Sequence, residues 1–202
     1  MKVSPLKQVL IATKNKGKAS EFKEFFSKYN IEVLSLLDLE EQLPDVEETG
    51  VTFEENAALK AEQIAAILNK PVLADDSGLM VDALNGDPGI YSARYAGHGK
   101  NDQDNNVKLL NELKDIPKEK RKAKFVCVLA VAIPGEETIF RTGICEGEIT
   151  FTPQGNNGFG YDPLFIPNGS NKTMAELSSE EKNSISHRSA AIKKLENWVK
   201  EI

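Results

Sequence analysis

The sequence predicts an α/β protein with a mixed β-sheet flanked by helices. Short β-type apolar runs alternate with segments whose apolar residues recur at helical spacing. Two longer β-type runs are joined by the turn signal "PGE", which is typical of a hairpin. Strands that alternate with helices, together with one hairpin, favour a sheet with parallel and antiparallel pairs. Because no linker or repeat interrupts the chain, we expect a single domain over residues 1–202, organised as two lobes.

The first half of the chain contains two predicted strands, "VLIAT" and "IEVLSL", and two helices. The apolar residues of the first helix, which follows the loop "KNKGK", share about a third of its circumference: Ala19, Phe22, Phe25, Phe26 and Tyr29. The second helix opens at "TFEE", where Thr52 and Glu55 have the spacing of a capping box. Its predicted buried residues are Phe53, Ala57, Ala61, Ile64 and Leu68.

The second half contains a helix over roughly Asp102–Leu113 and the hairpin strands Lys124–Ile133 and Glu137–Phe151. A glycine-rich loop, a short strand "LFI" and two C-terminal helices complete the chain. The predicted apolar positions are Val107, Leu110 and Leu113 in the first of these helices, and Ile192, Leu195 and Val199 in the last.

Charge and composition exclude several classes of protein. A net charge of −6 and a pI near 5.1 argue against broad binding of nucleic acid or of membrane surfaces. The basic run Lys118–Lys124 is interpreted as a solvated connection. The longest apolar stretch, Phe125–Ile133, is too short to span a bilayer, and the N-terminal apolar run is too short for a signal peptide. With two cysteines and no C-x-x-C, we expect a soluble, cytoplasmic protein with no nucleic-acid or membrane partner.

Two acids follow the third apolar run, in "PVLADDSGL" (Pro71–Leu79). Successive strand residues point to opposite faces, so Asp75 and Asp76 cannot both cap one turn. Ligand sites of open α/β sheets gather at strand ends, where one acid could act as a metal ligand or a general base. Ser77 and Gly78 would then bring backbone N–H groups close to an anion. An Asx-type turn is the competing interpretation of these residues.

The strand–loop–helix junction Thr13–Lys18, "TKNKGK", carries three lysines. Free N–H groups and the positive dipole end at a helix N-terminus, together with lysines, suit a polyphosphate. The segment is not a Walker loop, because Ala12 and Ala19 stand where that pattern needs Gly and Ser or Thr. A solvated loop is the alternative.

Lys60 lies about 20° from Phe53 on the second helix, beside the apolar stripe, with Asn56 one turn earlier. A lysine there either extends to solvent along the stripe or reaches into a cleft. The acids of "EETG", Glu47–Gly50, precede this helix and could serve a divalent cation, or could belong to a solvated acidic loop.

Arg188 is in line with the apolar face of the last helix, next to His187. An arginine that points towards a core needs a carboxylate, a carbonyl or a ligand as partner. In "GNNGFGYDP", Phe159 stands between two glycines, which would let a flat ligand approach a stacking face. A tight turn with a packed aromatic ring is the alternative.

Together these motifs resemble the inosine/xanthosine triphosphate pyrophosphatases, the Ham1-like family. The resemblance rests on "LIATKNKGK", "EETGVTFEENAALKA", "LADDSGLMVDALNGDPGIYSARYAG", "FGYDPLF" and "AELSSEEKNSISHRSAA", and extends from Val9 to about Leu195. It implies an elongated mixed sheet, two lobes with a substrate cleft between them, and a homodimer. It also implies Mg²⁺-dependent hydrolysis of ITP, dITP and XTP to the monophosphate and pyrophosphate.

By position, the resemblance implies that Asp76 is the general base and a metal ligand, with Glu47 as a second ligand. It assigns the phosphates to Thr13, Lys14, Asn15, Lys16, Gly17, Lys18, Lys60 and Ser77. It assigns the base and sugar-phosphate to Phe159, Gly160, Tyr161, Asp162, Lys182, His187 and Arg188.

The chemistry of Arg188 offers a reason for base selection. A guanidinium only donates hydrogen bonds, and the 6-oxo group of hypoxanthine or xanthine accepts them, whereas adenine presents a 6-amino donor. This reasoning does not explain how guanine, which also has a 6-oxo group, would be distinguished from hypoxanthine or xanthine. The alternatives are a pyrophosphatase for pyrimidine or other modified nucleotides, and a non-catalytic nucleotide-binding module.

Overall fold

A computed structural model describes residues 8–40, 43–97 and 101–195, and within these ranges it contains a mixed six-stranded sheet with helices. The strands are β1 Gln8–Ile11, β2 Glu32–Ser35, β3 Val72–Val81, β4 Lys122–Ala132, β5 Ile139–Ile149 and β6 Phe165–Pro167. The helices are α1 Lys16–Ser27, α2 Phe53–Leu68, α3 Asp102–Glu112, α4 Ser179–Ile185 and α5 His187–Lys193. This element order confirms the α/β class.

The sheet has the strand order β2-β1-β3-β4-β5-β6. Strand β1 pairs in parallel with β2 and with β3, whereas β5 and β6 are antiparallel, so the sheet is mixed as predicted. The neighbours β4 and β5 are joined by residues 133–138. Six residues span at most about 20 Å, too little to return along an 11-residue strand, so β4 and β5 form the predicted hairpin.

Strand β3 is longer than its apolar run predicts. It extends over ten residues to Val81, so Asp75 and Asp76 lie inside the strand and do not end it. Neither an Asx turn nor a site just beyond the strand end describes this geometry. The strand continues because both carboxylates, although buried, have lysine partners.

The described part of the chain forms two compact units. One is built from the described residues of Met1–Asp76, Cys127–Gly143 and Ala191–Ile202, and the other from those of Ser77–Val126 and Ile144–Ala190. Each unit has its own apolar core. The first core includes Ile11, Phe22, Phe26, Leu73, Leu129 and Ile192. The second core includes Leu79, Leu109, Leu113, Phe125, Leu164 and Phe165.

Helix α2 buries Ala57, Ala61 and Ile64 as predicted, whereas Phe53 and Leu68 are half-buried, and helix α1 buries its predicted residues with one exception. In α1, Tyr29 is the exception, because the helix ends at Ser27 and the tyrosine is 37% exposed. Thr52 caps α2 by accepting from the Glu55 N–H, as predicted, but the Glu55 carboxylate accepts from Val51 N–H. Within the described ranges no helix is long and apolar enough to cross a membrane.

The buried face of α3 matches the predicted one in part. Leu113 is buried and Leu110 packs half-buried against the second core, as predicted, but Val107 is 52% exposed and the helix also buries Asn105, Asn106 and Leu109. The two asparagines face inwards because their amides bond to backbone groups of neighbouring segments. At the C-terminus, Ile192 and Leu195 are buried as predicted, and Val199 lies outside the described residues.

Candidate active site

Two lysines contact the consecutive carboxylates of β3. Lys18, in the first turn of α1, places Nζ 2.8 Å from Asp75 Oδ2. Lys60, in α2, places Nζ 3.3 Å from Asp76 Oδ1 and 2.9 Å from Glu48 Oε1. Lys60 therefore reaches inwards, and does not extend to solvent. We call these five residues the carboxylate–lysine cluster.

Burial and charge act in opposite directions on the pKa values of this cluster. Burial raises the pKa of Asp76, and the opposing effects of Lys60 and Lys18 do not cancel that rise. Burial alone would lower the pKa of Lys60, but Asp76, Asp75 and Glu48 together raise it above its ordinary value. Lys60 is therefore charged at neutral pH, and Asp76 is more basic than an exposed aspartate.

One oxygen of Asp76 remains available for a ligand. Asp76 Oδ2 is buried and has no hydrogen-bond partner among the described residues. The described ranges hold no group of three His, Cys, Asp or Glu side chains that could form a complete ligand set. Mg²⁺ usually takes only one or two protein carboxylates, and water and substrate phosphates supply its other ligands. Asp76, with Glu48 near it, fits such a partial set.

The acidic segment before α2 is attached to the first turn of that helix. The Gly50 N–H donates to Asn56 Oδ1 at 2.8 Å, and the Val51 N–H donates to the Glu55 carboxylate at 2.7 Å. A Cβ on Gly50 would lie 2.6 Å from the Cβ of Glu55, so the chain can pass this close only as glycine. This attachment fixes the segment that carries Glu48.

Of the two glutamates in this segment, Glu48 contacts Lys60 and Glu47 is exposed. Lys14 binds the same segment further upstream, with Nζ 2.5 Å from Asp45 Oδ1 and 3.4 Å from the carbonyl oxygen of Leu43. The assignment of Glu47 as a second metal ligand stays a prediction.

The predicted phosphate loop Thr13–Lys18 is shorter than expected, because α1 already begins at Lys16. Asn15 is the N-cap, and its side chain accepts from the Lys18 N–H at 3.0 Å. Thr13 Oγ1 accepts from the Asn15 N–H at 3.1 Å. Lys16, Gly17 and Lys18 thus lie in the first turn of a 12-residue helix, whose N-terminus carries the positive end of the dipole.

A second cluster, in the other unit, surrounds Phe159. Lys182 Nζ is 2.7 Å from Asp162 Oδ2, and both side chains are buried. The same carboxylate oxygen accepts from the Phe159 N–H at 2.9 Å. Lys182 Nζ also lies 4.7 Å from the centroid of the Phe159 ring, with the guanidinium of Arg188 at 6.0 Å. The ammonium group of Lys182 and the guanidinium of Arg188 thus both lie within cation–π distance of the Phe159 ring.

Arg188 and His187 begin α5, as predicted, and both are buried. Arg188 Nη2 donates to Ser77 Oγ at 3.1 Å, which ties the arginine to the residue after Asp76 in the chain. His187 stacks on Phe125, with ring centroids 4.8 Å apart and 14° between the planes. The side chains of Ser77, Arg188, Lys182 and Phe159 therefore belong to one unit.

Tyr161 and Gly160 are held by neighbouring segments. Tyr161 is 4% exposed, and its hydroxyl donates to the carbonyl of Ser92 at 2.8 Å. Gly160 is bound from α3, by Asp102 and Asn106. Sequence reasoning missed Asp102 and Asn106, and it named Glu48 only as one of the acids of Glu47–Gly50. The burial of Asn106 could have been predicted from its spacing of three and seven residues from the buried Leu109 and Leu113, which places it on the same face of α3.

Buried, lysine-paired carboxylates on one strand, and lysines at a nearby helix N-terminus, are features expected of an α/β protein that binds phosphate groups and uses acid–base chemistry. The chain belongs to the Ham1 family, whose sequence profile matches residues 9–198. It is 60% identical over 194 residues to a dITP/XTP pyrophosphatase of Oceanobacillus iheyensis, covering 96% of this chain and 98% of the relative. It is 55% identical over 197 residues to a dITP/XTP pyrophosphatase of Listeria monocytogenes serotype 4b, covering 98% and 97%.

Solved structures have the same fold. The Ham1 protein of Staphylococcus aureus is 50% identical, with a TM-score of 0.84 over 96% of this chain and 98% of that one. A HAM1 protein of Coxiella burnetii is 39% identical, with a TM-score of 0.86 over 96% and 99%. These similarities confirm the family and the fold that the motifs predicted.

Proposed function

We propose that this protein hydrolyses deaminated purine nucleoside triphosphates, namely ITP, dITP and XTP, to the monophosphate and pyrophosphate. The observation that carries the proposal is the buried Asp76–Lys60 pair with a carboxylate oxygen available for a ligand. The names of the relatives, dITP/XTP pyrophosphatases at 55–60% identity, support the choice of substrate. The bond that breaks lies between the α- and β-phosphates.

Asp76 acts as the general base. Its buried Oδ2 accepts a proton from the attacking water, and its raised pKa makes it a better acceptor than an ordinary aspartate. Lys60 keeps Asp76 ionised and in a fixed orientation through the 3.3 Å contact. The reaction needs no protein nucleophile, because water attacks the phosphorus directly.

The charge of the carboxylate–lysine cluster favours a divalent cation. Its three carboxylates outnumber its two lysines, which leaves one net negative charge facing an anionic substrate. Mg²⁺, when bound, reverses that charge and polarises the phosphate oxygens. Asp76 would hold it, together with Glu47 or Glu48. Lys14, Lys16 and Lys18, with the N–H groups at the start of α1, would bind the phosphates.

The Phe159 cluster selects the base. The ring of Phe159 offers a stacking face, and Arg188 donates to a 6-oxo group. Adenine would place its 6-amino donor against the guanidinium and leave a buried charged donor unsatisfied. Lys182, His187 and Asp162 complete the surroundings of the base and sugar-phosphate.

We further propose a cytoplasmic homodimer with no nucleic-acid or membrane partner. Both cysteines, Cys127 and Cys145, are free buried thiols, as suits a reducing compartment. The net charge of −6 supports the absence of a nucleic-acid partner.

A product assay tests the function. The protein is incubated with Mg²⁺ and, separately, dITP, XTP, dGTP, dATP or dTTP, and pyrophosphate is resolved from orthophosphate. Pyrophosphate released mainly from dITP and XTP supports the proposal. Orthophosphate as product, or equal use of dATP, would contradict it, and preference for dTTP would favour a pyrimidine pyrophosphatase. Binding without turnover would favour a nucleotide-binding module.

A further inference from the structure

Helix α3 holds Gly160 by both of its backbone polar groups. Asp102 Oδ2 accepts from the Gly160 N–H at 2.7 Å, and Asn106 Nδ2 donates to the Gly160 carbonyl at 3.0 Å. The two side chains are one helical turn apart on the same face, so they reach one residue together. We call this pair the α3 clamp.

The clamped residue lies in a turn that determines where Phe159 is placed. Gly160 has a φ of +62°, a backbone conformation that favours glycine. On its N-terminal side, the Phe159 N–H donates to Asp162 Oδ2. On its C-terminal side, the Tyr161 hydroxyl donates to the Ser92 carbonyl. The clamp fixes the peptide groups on both sides of Gly160, and therefore the direction in which the Phe159 ring leaves the backbone.

The same face of α3 is tied to strand β3. Asn105 Nδ2 donates to the carbonyl of Ser92 at 3.3 Å, and Ser92 Oγ accepts from the Leu79 N–H at 2.9 Å. Leu79 is two residues after Ser77, which contacts Arg188. One hydrogen-bonded network inside this unit thus connects the turn that carries Phe159 to the part of β3 next to Ser77, the residue that contacts Arg188.

We infer that Asp102 and Asn106 are specificity-determining positioning residues, which set the distance between the Phe159 ring and the donors of Arg188 and Lys182 for a purine base. The inference rests on the proposed function. Neither residue touches the substrate in this scheme; both act through Gly160. A loosened turn would keep the carboxylate–lysine cluster intact and weaken the discrimination between 6-oxo and 6-amino purines.

The test compares two clamp variants with two matched controls. Asn106→Asp keeps the shape of the side chain but places an acceptor against the Gly160 carbonyl, and Asn111→Asp makes the same change at an exposed position of α3. Asp102→Ala removes the acceptor for the Gly160 N–H, and Asp104→Ala removes the same charge from the same helical turn. Asp102→Ala and Asp104→Ala therefore lose the same favourable interaction of an acidic side chain with the helix dipole.

Two readouts are measured in each variant with Mg²⁺ present: kcat/KM for dITP and for dATP, and hydrogen exchange of the Gly160 amide by NMR. We expect the dITP-to-dATP ratio to narrow by about fivefold or more in both clamp variants, with faster exchange at Gly160, since the loss of one hydrogen bond changes an equilibrium by that order. The controls should change neither. A loss of folded enzyme lowers both kcat/KM values equally and leaves the ratio unchanged, so the ratio separates positioning from stability.

If the clamp variants are active and their dITP-to-dATP ratio equals that of the wild type, the inference is wrong and the proposed function stands. Equal effects in the controls, or unaltered exchange at Gly160, also overturn the inference. Wild-type protein that hydrolyses neither nucleotide overturns the proposed function, and base selection with it, which distinguishes the two failures.

Discussion

Lys60 Nζ bridges Asp76 and Glu48, at 3.3 Å from one carboxylate and 2.9 Å from the other. A single cation on α2 thus fixes an acid of the central strand β3 and an acid of the segment before α2. Because Lys60 is 14% exposed, water screens this contact less than it would a surface pair. Separate mutations of Asp76 and Lys60 can therefore distinguish what each residue contributes.

Asp76→Asn should nearly abolish turnover. The amide keeps the shape of the side chain but cannot take a proton from water, and loss of a general base costs about 10²–10⁴-fold in kcat. Lys60 keeps Glu48 as a partner, so the urea midpoint should stay close to that of the wild type. Steady-state kinetics and urea unfolding check both statements, with exposed Asp115→Asn as the control. Wild-type kcat in Asp76→Asn would show that the base is another group.

Lys60→Met should move the acid limb of the pH profile of kcat/KM to higher pH. Lys60 lowers the pKa of Asp76, so its removal lets burial raise that pKa further. Asp76 must be ionised to act as a base, and a higher pKa means that activity is lost at a higher pH as the solution is acidified. The profile of Lys70→Met, which changes an exposed lysine two residues after α2, serves as the reference. If the acid limb of the Lys60→Met profile stays in place, or moves to lower pH, Lys60 does not lower the pKa of the group that controls activity.

Gly50→Ala should lower activity by displacing the acidic segment. The new Cβ would lie 2.6 Å from Glu55 Cβ and 2.7 Å from Asn56 Oδ1, closer than these atoms can approach. The Gly50–Asn56 hydrogen bond is then lost, and Glu48 moves away from Lys60. We expect kcat/KM to fall about tenfold or more, from the loss of one part-buried hydrogen bond and the misplaced carboxylate. A urea midpoint equal to that of the wild type would exclude a general loss of folded protein, and wild-type kcat/KM in Gly50→Ala would show that activity does not depend on this close contact.

Arg188→Ala should narrow the preference for dITP over dATP. The guanidinium, 2% exposed, favours a 6-oxo acceptor and disfavours a 6-amino donor, so its loss removes both effects. The ratio of the two kcat/KM values should fall about tenfold or more. The same ratio in Arg141→Ala, a change of an arginine in the other unit, gives the baseline. If the ratio is the same in Arg188→Ala and in the wild type, another residue reads the 6-position.

Asp38 should contribute to stability above pH 4 and not below pH 2. Its carboxylate accepts from Lys23, from the Ser35 N–H and from Ser35 Oγ, which lowers its pKa from 3.8 to about 2. A lowered folded-state pKa stabilises the fold where the group is ionised in both states, and the contribution disappears as pH falls from about 4 to 2. The difference in unfolding free energy between wild type and Asp38→Asn, measured in urea, should shrink over that interval. A constant difference would show that the carboxylate charge is not the cause.

The sequence predicts the helices and strands better than it predicts which loop residues and polar side chains point inwards. The place of Lys60 beside the apolar stripe follows from its angle to Phe53, because helix geometry is periodic, but that angle leaves open whether the ammonium group reaches inwards or to solvent. The choice between Glu47 and Glu48 does not follow, since the segment has no period that fixes which side chain points inwards. Asn105 and Asn106 were overlooked because burial of an amide depends on distant carbonyls, such as that of Gly160, which no local pattern reveals.

The placement of Asp75 and Asp76 in the interior of β3 has a consequence for protein engineering. A carboxylate inside a ten-residue strand is placed by the backbone of that strand, so it tolerates little adjustment and is insulated from insertions in loops. Phe159, by contrast, is carried by a glycine-rich turn. Redesign of such an enzyme for other bases should therefore concentrate library diversity on residues 155–161 and on α3, and leave strand β3 untouched.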